Sequence, residues 1–261
     1  MFGRKTQPDW FFESSTHLEA VSRLLYVVET HEPLGSVQGP NGSGRTRVLA
    51  RLREELARCG VLTVNLNISG LDDESILWQV AEGFAVRVPP AVRRHELLSL
   101  LRNEVMGRAR CEVQTVILLD DFHKAAGDTS ILLRILHAIS AECQGMMTVI
   151  AASDRSLPAE FTGFGFVPVR LAELDTAESS DFVRSLILRQ VASPHIVDES
   201  AVRAISLISA GNTARMSRLC ALLRVVHETA PETRIMEETV YSLLAELTDE
   251  RPASLPMMRA G

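Results

Sequence analysis

Hydrophobic residues follow two alternating patterns in the first part of the chain. Short apolar runs of strand length occur at 34–37, 61–68, 115–121, 147–152 and 166–171. Stretches with apolar residues at helical spacing lie before and between them, at 16–29, 47–58, 72–84, 94–108 and 130–142. Because strands that alternate with helices of these lengths form doubly wound sheets, the pattern predicts an α/β fold, with a five-stranded, mainly parallel sheet flanked by helices.

The pattern changes after about residue 174, where only helical spacing remains. The helices predicted there span 176–191, 198–210, 213–227 and 236–247. We therefore predict an α/β core over residues 1–174, which begins with an N-terminal helix, and a small all-helical subdomain over 175–247. The tail over 248–261 contains Pro252 and Pro256 and no periodicity, so we expect it to be disordered.

Composition and charge narrow the class of protein. With 27 Lys and Arg against 33 Asp and Glu, the net charge is −6, which gives no electrostatic signal for nucleic acid binding, although a local basic patch stays open. No run of about 18 apolar residues is present, so a membrane span is not expected. The four cysteines form no CxxC pair, which argues against a zinc site or a disulfide framework and favours the cytoplasm.

A glycine-rich loop lies between the first predicted strand and the helix that follows it. Its sequence, GPNGSGRT, has the pattern of the phosphate-binding loop of nucleotide triphosphatases, with arginine in place of the lysine. A flexible surface turn is the alternative interpretation, but the order of strand, loop and helix favours phosphate binding. The residues predicted to bind nucleotide are Gly39, Pro40, Asn41, Gly42, Ser43, Gly44, Arg45, Thr46 and Arg47.

Two acidic residues follow the buried apolar strand at 115–121. Asp120 is predicted to hold Mg²⁺ together with the hydroxyl of Thr46, and Asp121 to orient the attacking water. The alternative is that the acid caps a helix. Asp121 is one methylene shorter than the glutamate usual at this place, so we expect hydrolysis to be slower.

Three further side chains are candidates for sensing the nucleotide. Ser153 follows the fourth strand and is predicted to contact the γ-phosphate or the attacking water, although a turn residue explains it equally well. Arg215 begins a predicted helix of the helical subdomain, where a cation can reach the phosphates, with Arg218 as its substitute. His123 is a candidate to couple the γ-phosphate to the following helix, but a structural hydrogen bond explains it equally well.

The chain resembles AAA+ ATPases of the ExeA type, which are associated with secretion and are similar to transposition helper ATPases. The resemblance rests on FFESSTHLEAVSRLLYVVE, GPNGSGRT, ILLDDFHKA, VIAAS, LAELDTAESSDFVRSLI and GNTARMSRLC, in that order. It implies a fold in which the helical subdomain is a lid, and ATP and Mg²⁺ as cofactors. It also implies catalytic roles for Asp121, for Ser153 as first sensor and for Arg215 as second sensor.

Four departures from the family pattern weaken the enzyme interpretation. Arg45 replaces lysine, Asp121 replaces glutamate, and Ala214 stands where the family often has an arginine. The segment Phe161 to Phe166 contains no arginine to reach into a neighbouring subunit, a group that is worth several orders of magnitude in rate where it is present.

Three functional hypotheses remain open from the sequence. The first is an ATP-binding module, a slow ATPase at most, that switches the conformation or assembly of a protein partner in secretion or envelope machinery. This hypothesis includes a homo-oligomer as one form of the assembly. The second is a catalytically inactive scaffold. The third is a DNA-associated regulator of the transposition type, whose DNA binding would depend on salt concentration.

Overall fold

The computed structural model of the protein describes residues 10–89, 91–127, 129–157, 161, 166–191, 194–230 and 233–249. The predicted tail lies outside these residues from position 250 onward, as do positions 162–165 of the segment without an arginine. The strands are β1 (Leu34–Gln38), β2 (Leu62–Asn67), β3 (Thr115–Asp120), β4 (Met147–Ser153) and β5 (Phe166–Arg170). The helices of the first part are α1 (Ser15–Glu29), α2 (Arg45–Arg58), α3 (Asp73–Gly83), α4 (Arg94–Arg110) and α5 (Ser130–Glu142).

The five strands form one sheet in the order β2-β3-β4-β1-β5, and every neighbouring pair is parallel. The predicted α/β fold with a parallel sheet flanked by helices is therefore confirmed. Gln38 pairs with Ser153, and Leu119 pairs with Ala151. The carboxyl ends of β1, β3 and β4 thus lie at one edge of the sheet, which is where ligands bind in such folds.

The side chains of the sheet pack into two apolar layers, one on each face. Val116 and Leu118 of β3 belong to the layer with α1 and α2, whereas Ile117 and Leu119 belong to the layer with α3, α4 and α5. Successive residues of a strand point to opposite faces, so β3 is apolar throughout because both of its faces are covered. This packing fixes the position of Asp120, the last residue of the strand.

The chain divides into two compact units between Glu173 and Leu174. The second unit contains α6 (Thr176–Gln190), α7 (Glu199–Ser209), α8 (Thr213–Thr229) and α9 (Glu237–Asp249), and Val197 forms an isolated bridge to Ile235. Asp175, Asp198 and Asn212 cap the first three of these helices through their side chains. No helix in the described ranges is both long enough and apolar enough to cross a bilayer.

Candidate functional site

The loop between β1 and α2 leads into a helix whose N-terminus has no side-chain cap. Gly44 precedes the helix in a left-handed conformation, with φ of 94°, and the first turn contains no acidic residue. Side chains do cap α1, α3, α6, α7 and α8. The first N–H groups of α2 have no acceptor within the helix, and the helix dipole favours an anion there. The start of α2 can therefore receive a phosphate group.

Two glycines of the loop occupy places where no side chain fits. A Cβ atom on Gly39 would lie 2.7 Å from Oγ of Ser43 and 2.8 Å from the carbonyl oxygen of Leu171. A Cβ atom on Gly44 would overlap Nε2 of His17, and its positive φ would strain any other residue. The loop is therefore a close-packed cradle, and a flexible surface turn does not describe it.

Thr46 and Asp120 meet across the site. The Thr46 hydroxyl donates a hydrogen bond of 2.7 Å to Oδ2 of Asp120, and the N–H of Asp121 donates one of 2.8 Å to Oδ1 of Asp120. Asp120 is only 6% exposed, so both carboxylate oxygens depend on these partners. A hydroxyl and a carboxylate are the hard oxygen donors that Mg²⁺ prefers. These two side chains fit the cation that the sequence predicts, and their role as its ligands stays a prediction.

Arg45 folds back onto its own loop. Its Nη1 donates to the carbonyl oxygens of Gly39 and, over 3.0 Å, of Pro40, and the residue is 6% exposed. Its Nη2 lies 3.9 Å from Oδ1 of Asp121. Since a guanidinium carries five N–H donors, the two bonds from Nη1 leave the donors of Nη2 and Nε for another acceptor. The arginine thus holds the start of the loop without using all of its donors.

Two neighbours that the sequence analysis did not single out hold the Asp121 carboxylate. Its Oδ1 lies 3.0 Å from the Lys124 ammonium, and its Oδ2 accepts a hydrogen bond of 3.2 Å from the side-chain amide of Asn67. Partial burial acts to raise the pKa of Asp121, but the hydrogen bonds from Lys124 and Asn67 outweigh it and lower the pKa below its ordinary value. Asp121 precedes a short 3₁₀ turn without a capping hydrogen bond, so the helix-cap alternative does not apply.

Ser153 and His123 make local hydrogen bonds at the same edge of the sheet. Oγ of Ser153 accepts a bond of 3.3 Å from the N–H of Arg155, as a turn residue does, and its carbonyl accepts one of 3.2 Å from the N–H of Gly39. Nδ1 of His123 accepts from the N–H of Asp154, and Nε2 lies 3.3 Å from the Asp154 carboxylate. His123 therefore makes structural hydrogen bonds, whereas the Ser153 hydroxyl donates to no acceptor in the described part of the chain.

Arg215 lies in the second unit. It is the third residue of α8, and its N–H donates a hydrogen bond of 3.0 Å to Oδ1 of Asn212. Arg215 and Arg218 are both exposed. The predicted sensing role of Arg215 stays a prediction. The other predicted site residues, the loop together with Asp120, Asp121 and Ser153, belong to the first unit.

His17 is a site residue that sequence reasoning missed. Its Nε2 lies 2.8 Å from the carbonyl oxygen of Ser43, and its Nδ1 lies 2.5 Å from the hydroxyl of Ser14. The ring is buried between α1 and the phosphate loop, with 4% of the residue exposed. The available signal was the spacing of Ser14 and His17 at the start of an amphipathic helix, but that spacing indicates a helix cap and not a contact with a distant loop.

Comparison with known proteins assigns the family. A sequence profile described as an AAA domain matches residues 28–158, half of the chain. The chain belongs to the AAA domain family. The matched range of this AAA domain contains the phosphate loop, Asp120, Asp121 and Ser153, and it ends before β5 and the helical unit. No curated protein sequence matches the chain.

Solved structures of similar fold include two proteins in complex with DNA. Drosophila ORC bound to DNA has a TM-score of 0.73 at 15% identity, covering 96% of this chain and 64% of that one. Aeropyrum pernix Orc1 in complex with DNA has a TM-score of 0.66 at 19% identity, covering 92% and 66%. Cdc6p from Pyrobaculum aerophilum has a TM-score of 0.65 at 15% identity, covering 88% and 66%.

At these identities the likeness establishes the fold. The chain spans just under two thirds of the length of the three neighbours. The ExeA-type resemblance is finer than any of these matches and stays a prediction.

Proposed function

We propose that this AAA domain binds ATP together with Mg²⁺ and uses nucleotide binding, with slow hydrolysis, to switch the conformation or assembly of a protein partner. The observation that carries the proposal is the contact between Thr46 and Asp120 beside the uncapped start of α2. This contact places two oxygen ligands suited to Mg²⁺ beside a helix N-terminus that can bind phosphate, which is the combination that a magnesium nucleotide requires.

The residues divide into those that would hold phosphate and those that would hold the cation. The loop from Gly39 to Arg47 would receive the phosphates through backbone N–H groups and through the donors that Arg45 retains. Thr46 and Asp120 would hold Mg²⁺, which supplies positive charge to neutralise the phosphate oxygens.

Slow turnover is supported by how the charged side chains are engaged. Asp121, the candidate for orienting water, is held by Lys124 and Asn67, so it has to leave these partners before it can act as a base. Arg45 is a fork-shaped donor bound to its own loop, where a lysine would present a compact ammonium. The sequence between Phe161 and Phe166 contains no arginine for a neighbouring subunit. The first feature hinders activation of the attacking water, and the other two reduce stabilisation of the transferred phosphoryl group.

The test is calorimetric titration of the protein with Mg²⁺ and ATP, followed by phosphate release from the same samples. We compare the wild type with Arg45→Lys, and we use Arg58→Lys, at the exposed far end of the same helix, as the matched control. Binding by all three, with faster phosphate release only in Arg45→Lys, supports a slow ATPase. Binding without release in any variant supports the catalytically inactive scaffold. Absence of binding at millimolar ATP in all three overturns the proposal.

A DNA-associated regulator is the second candidate, and it is favoured by the two neighbours whose structures contain DNA. The net charge of −6 opposes it. Fluorescence anisotropy with a labelled duplex decides between the two, because DNA binding through phosphate contacts weakens steeply with salt. A salt-dependent affinity that rises with ATP supports the DNA role. If no binding occurs at low salt, the setting suggested by the ExeA-type resemblance, a protein complex of the secretion machinery, is the one to test by affinity capture and by mass measurement of oligomers.

A further inference from the structure

The side chain of His17 links the beginning of α1 to the backbone of the phosphate loop. Its Nε2 lies 2.8 Å from the Ser43 carbonyl oxygen and its Nδ1 lies 2.5 Å from the Ser14 hydroxyl. The residue lies outside the range 28–158 that the AAA domain profile matches. The family assignment therefore does not account for this contact.

Hydrogen-bond chemistry fixes which ring nitrogen carries the proton. The Ser43 carbonyl oxygen can only accept, so Nε2 must donate to it. A neutral ring then accepts at Nδ1 from the Ser14 hydroxyl, while the same hydroxyl oxygen accepts a bond of 3.2 Å from the His17 N–H. In this arrangement both ring nitrogens and the Ser14 hydroxyl are satisfied, as buried polar groups need to be.

The bond from His17 also sets the orientation of one peptide group. The Ser43 carbonyl and the Gly44 N–H belong to the same planar trans peptide and point to opposite sides. Holding the carbonyl toward α1 turns the Gly44 N–H away from His17. Among the described residues this N–H has no acceptor, and it directly precedes the unpaired N–H groups of Arg45 and Thr46 at the start of α2.

Gly44 and Phe11 pack closely against the His17 ring. A Cβ atom on Gly44 would overlap Nε2, and Phe11 meets the ring edge-on with ring centroids 6.1 Å apart. In the described part of the chain, the buried Ser43 hydroxyl has no hydrogen-bond partner, so no side-chain bond of Ser43 holds the loop in the place of His17. The histidine is therefore the group that holds this peptide.

We propose that His17 is a positioning residue of the nucleotide site, which orients the Ser43–Gly44 peptide through its Nε2–H so that the Gly44 N–H is available to a phosphate group. This inference rests on the proposed function, because it assumes that the loop receives the phosphates of a nucleotide. A histidine that only fills space would contribute to stability and leave the affinity for nucleotide unchanged.

The test compares His17→Gln, His17→Asn and His17→Leu. The amide nitrogen of glutamine can reach the position of Nε2 and keep the donor to Ser43, whereas asparagine reaches only the position of Nδ1, and leucine offers no donor. We measure the Kd for a fluorescent ATP analogue with Mg²⁺, and check folding by thermal unfolding without nucleotide. We expect Asn and Leu to weaken binding about tenfold, and Gln to stay within about threefold of the wild type.

A second readout needs no nucleotide. Amide hydrogen exchange of Ser43 and Arg47, whose N–H groups donate to the carbonyl oxygens of Pro40 and Gly44, is followed by NMR. It should speed up in the Asn and Leu variants and stay at the wild-type rate in Gln. If the wild type binds ATP and all three variants bind equally, with unchanged exchange, His17 has no positioning role and the proposed function stands. If the wild type does not bind ATP, the proposed function fails, and the exchange rates alone decide whether His17 orders the loop.

Ser14→Gly serves where a His17 variant does not fold. Glycine is tolerated as the residue before a helix, and it removes the partner of Nδ1 while the His17 ring remains. We expect a Kd about threefold higher than that of the wild type and faster exchange at Ser43 and Arg47. Wild-type values of both quantities would overturn the proposal.

Discussion

The Thr46 hydroxyl lies 2.7 Å from Oδ2 of Asp120, although 74 positions of sequence separate the two residues. Thr46 is the second residue of α2 and Asp120 is the last residue of β3, and β4 lies between β3 and the strand that leads into the loop. The contact therefore depends on the packing of the whole sheet and not on local sequence. It joins the phosphate loop to the acidic strand end.

Replacing Thr46 by valine tests this contact. Valine keeps the branched shape but removes the hydroxyl, which leaves the buried Oδ2 of Asp120 without its partner and removes one proposed ligand of Mg²⁺. We expect the Mg²⁺-dependent gain in ATP affinity to fall by a factor of about 10 to 100, the range of a hydrogen bond to a charged group. Calorimetry with and without Mg²⁺ measures it.

Thr46→Ser is the matched control, since it keeps the hydroxyl. It should retain the dependence on Mg²⁺ within a few-fold of the wild type. An equal loss in the serine and valine variants would mean that the methyl group, and not the oxygen, supports binding.

A second prediction concerns Gly44, where two costs coincide. Gly44→Ala meets both a positive φ of 94° and an overlap with the His17 ring, whereas Gly60→Ala meets a positive φ of 76° with no atom within 4 Å. Strain at such a φ costs about 1 to 3 kcal/mol at either position. We expect the Gly44 variant to lose at least about 1 kcal/mol more of its unfolding free energy than the Gly60 variant, because of overpacking.

Urea unfolding of the two glycine variants measures the difference. Equal losses would show that the loop moves away from the histidine at little cost. That outcome would also weaken the role proposed for His17, since the ring would then not hold the peptide tightly.

Much of the fold could be predicted from the sequence because its determinants are local. The strand β3 is an unbroken apolar run, as a strand covered on both faces requires, and the helix Ser130–Glu142 has the predicted bounds. The phosphate loop was recognisable because the backbone geometry of such a loop requires glycine at defined positions. The pairing of Thr46 with Asp120 could be expected once the order of strand, loop and helix was known.

The contacts that depend on how separate elements pack, or on the shape of a turn, were not predicted. His17 reaches Ser43 across 26 positions, and Asn67 reaches Asp121 across 54, each through the packing of separate elements. Lys124 is only three positions from Asp121, but their contact depends on the 3₁₀ turn between them. Metal sites and catalytic sites have recognisable residue spacings, whereas a histidine that binds a backbone carbonyl has none.

Lys124→Gln tests how the acid is held. The pKa of Asp121 lies below its ordinary value of 3.8, so the pair contributes stability above about pH 4, and this contribution is lost as the pH falls through the lower pKa of the folded state. We expect the variant to lose about 0.5 to 1 kcal/mol at pH 7, as for a partly exposed ion pair, and the difference to shrink below about pH 3. Urea unfolding across this pH range measures it.

Lys124→Arg keeps the charge and serves as the control, with stability close to that of the wild type at each pH. A loss in Lys124→Gln that stays constant from pH 7 to pH 3 would place the effect in packing and not in the ion pair.

The last prediction concerns acid sensitivity near neutral pH. Burial lowers the pKa of His123 from its ordinary value of 6.5, and Arg45 and Lys124 lower it further, whereas the carboxylates of Asp154 and Asp121 act to raise it and only partly compensate. The folded protein therefore holds the neutral ring, while the unfolded chain takes up a proton. The stability that this provides is fully present above about pH 6.5 and decreases as the pH falls below it.

His123→Asn keeps an acceptor near the position of Nδ1, which receives the N–H of Asp154, but it does not titrate. We expect the unfolding free energy of the wild type to fall more steeply from pH 7 to pH 5 than that of the variant. The exposed His95→Asn variant, followed in the same urea titrations, controls for loss of a histidine elsewhere. Parallel curves for the wild type and His123→Asn would mean that the fold does not shift the pKa of His123. A shallower fall in the wild type than in the variant would mean that Asp154 holds a charged ring.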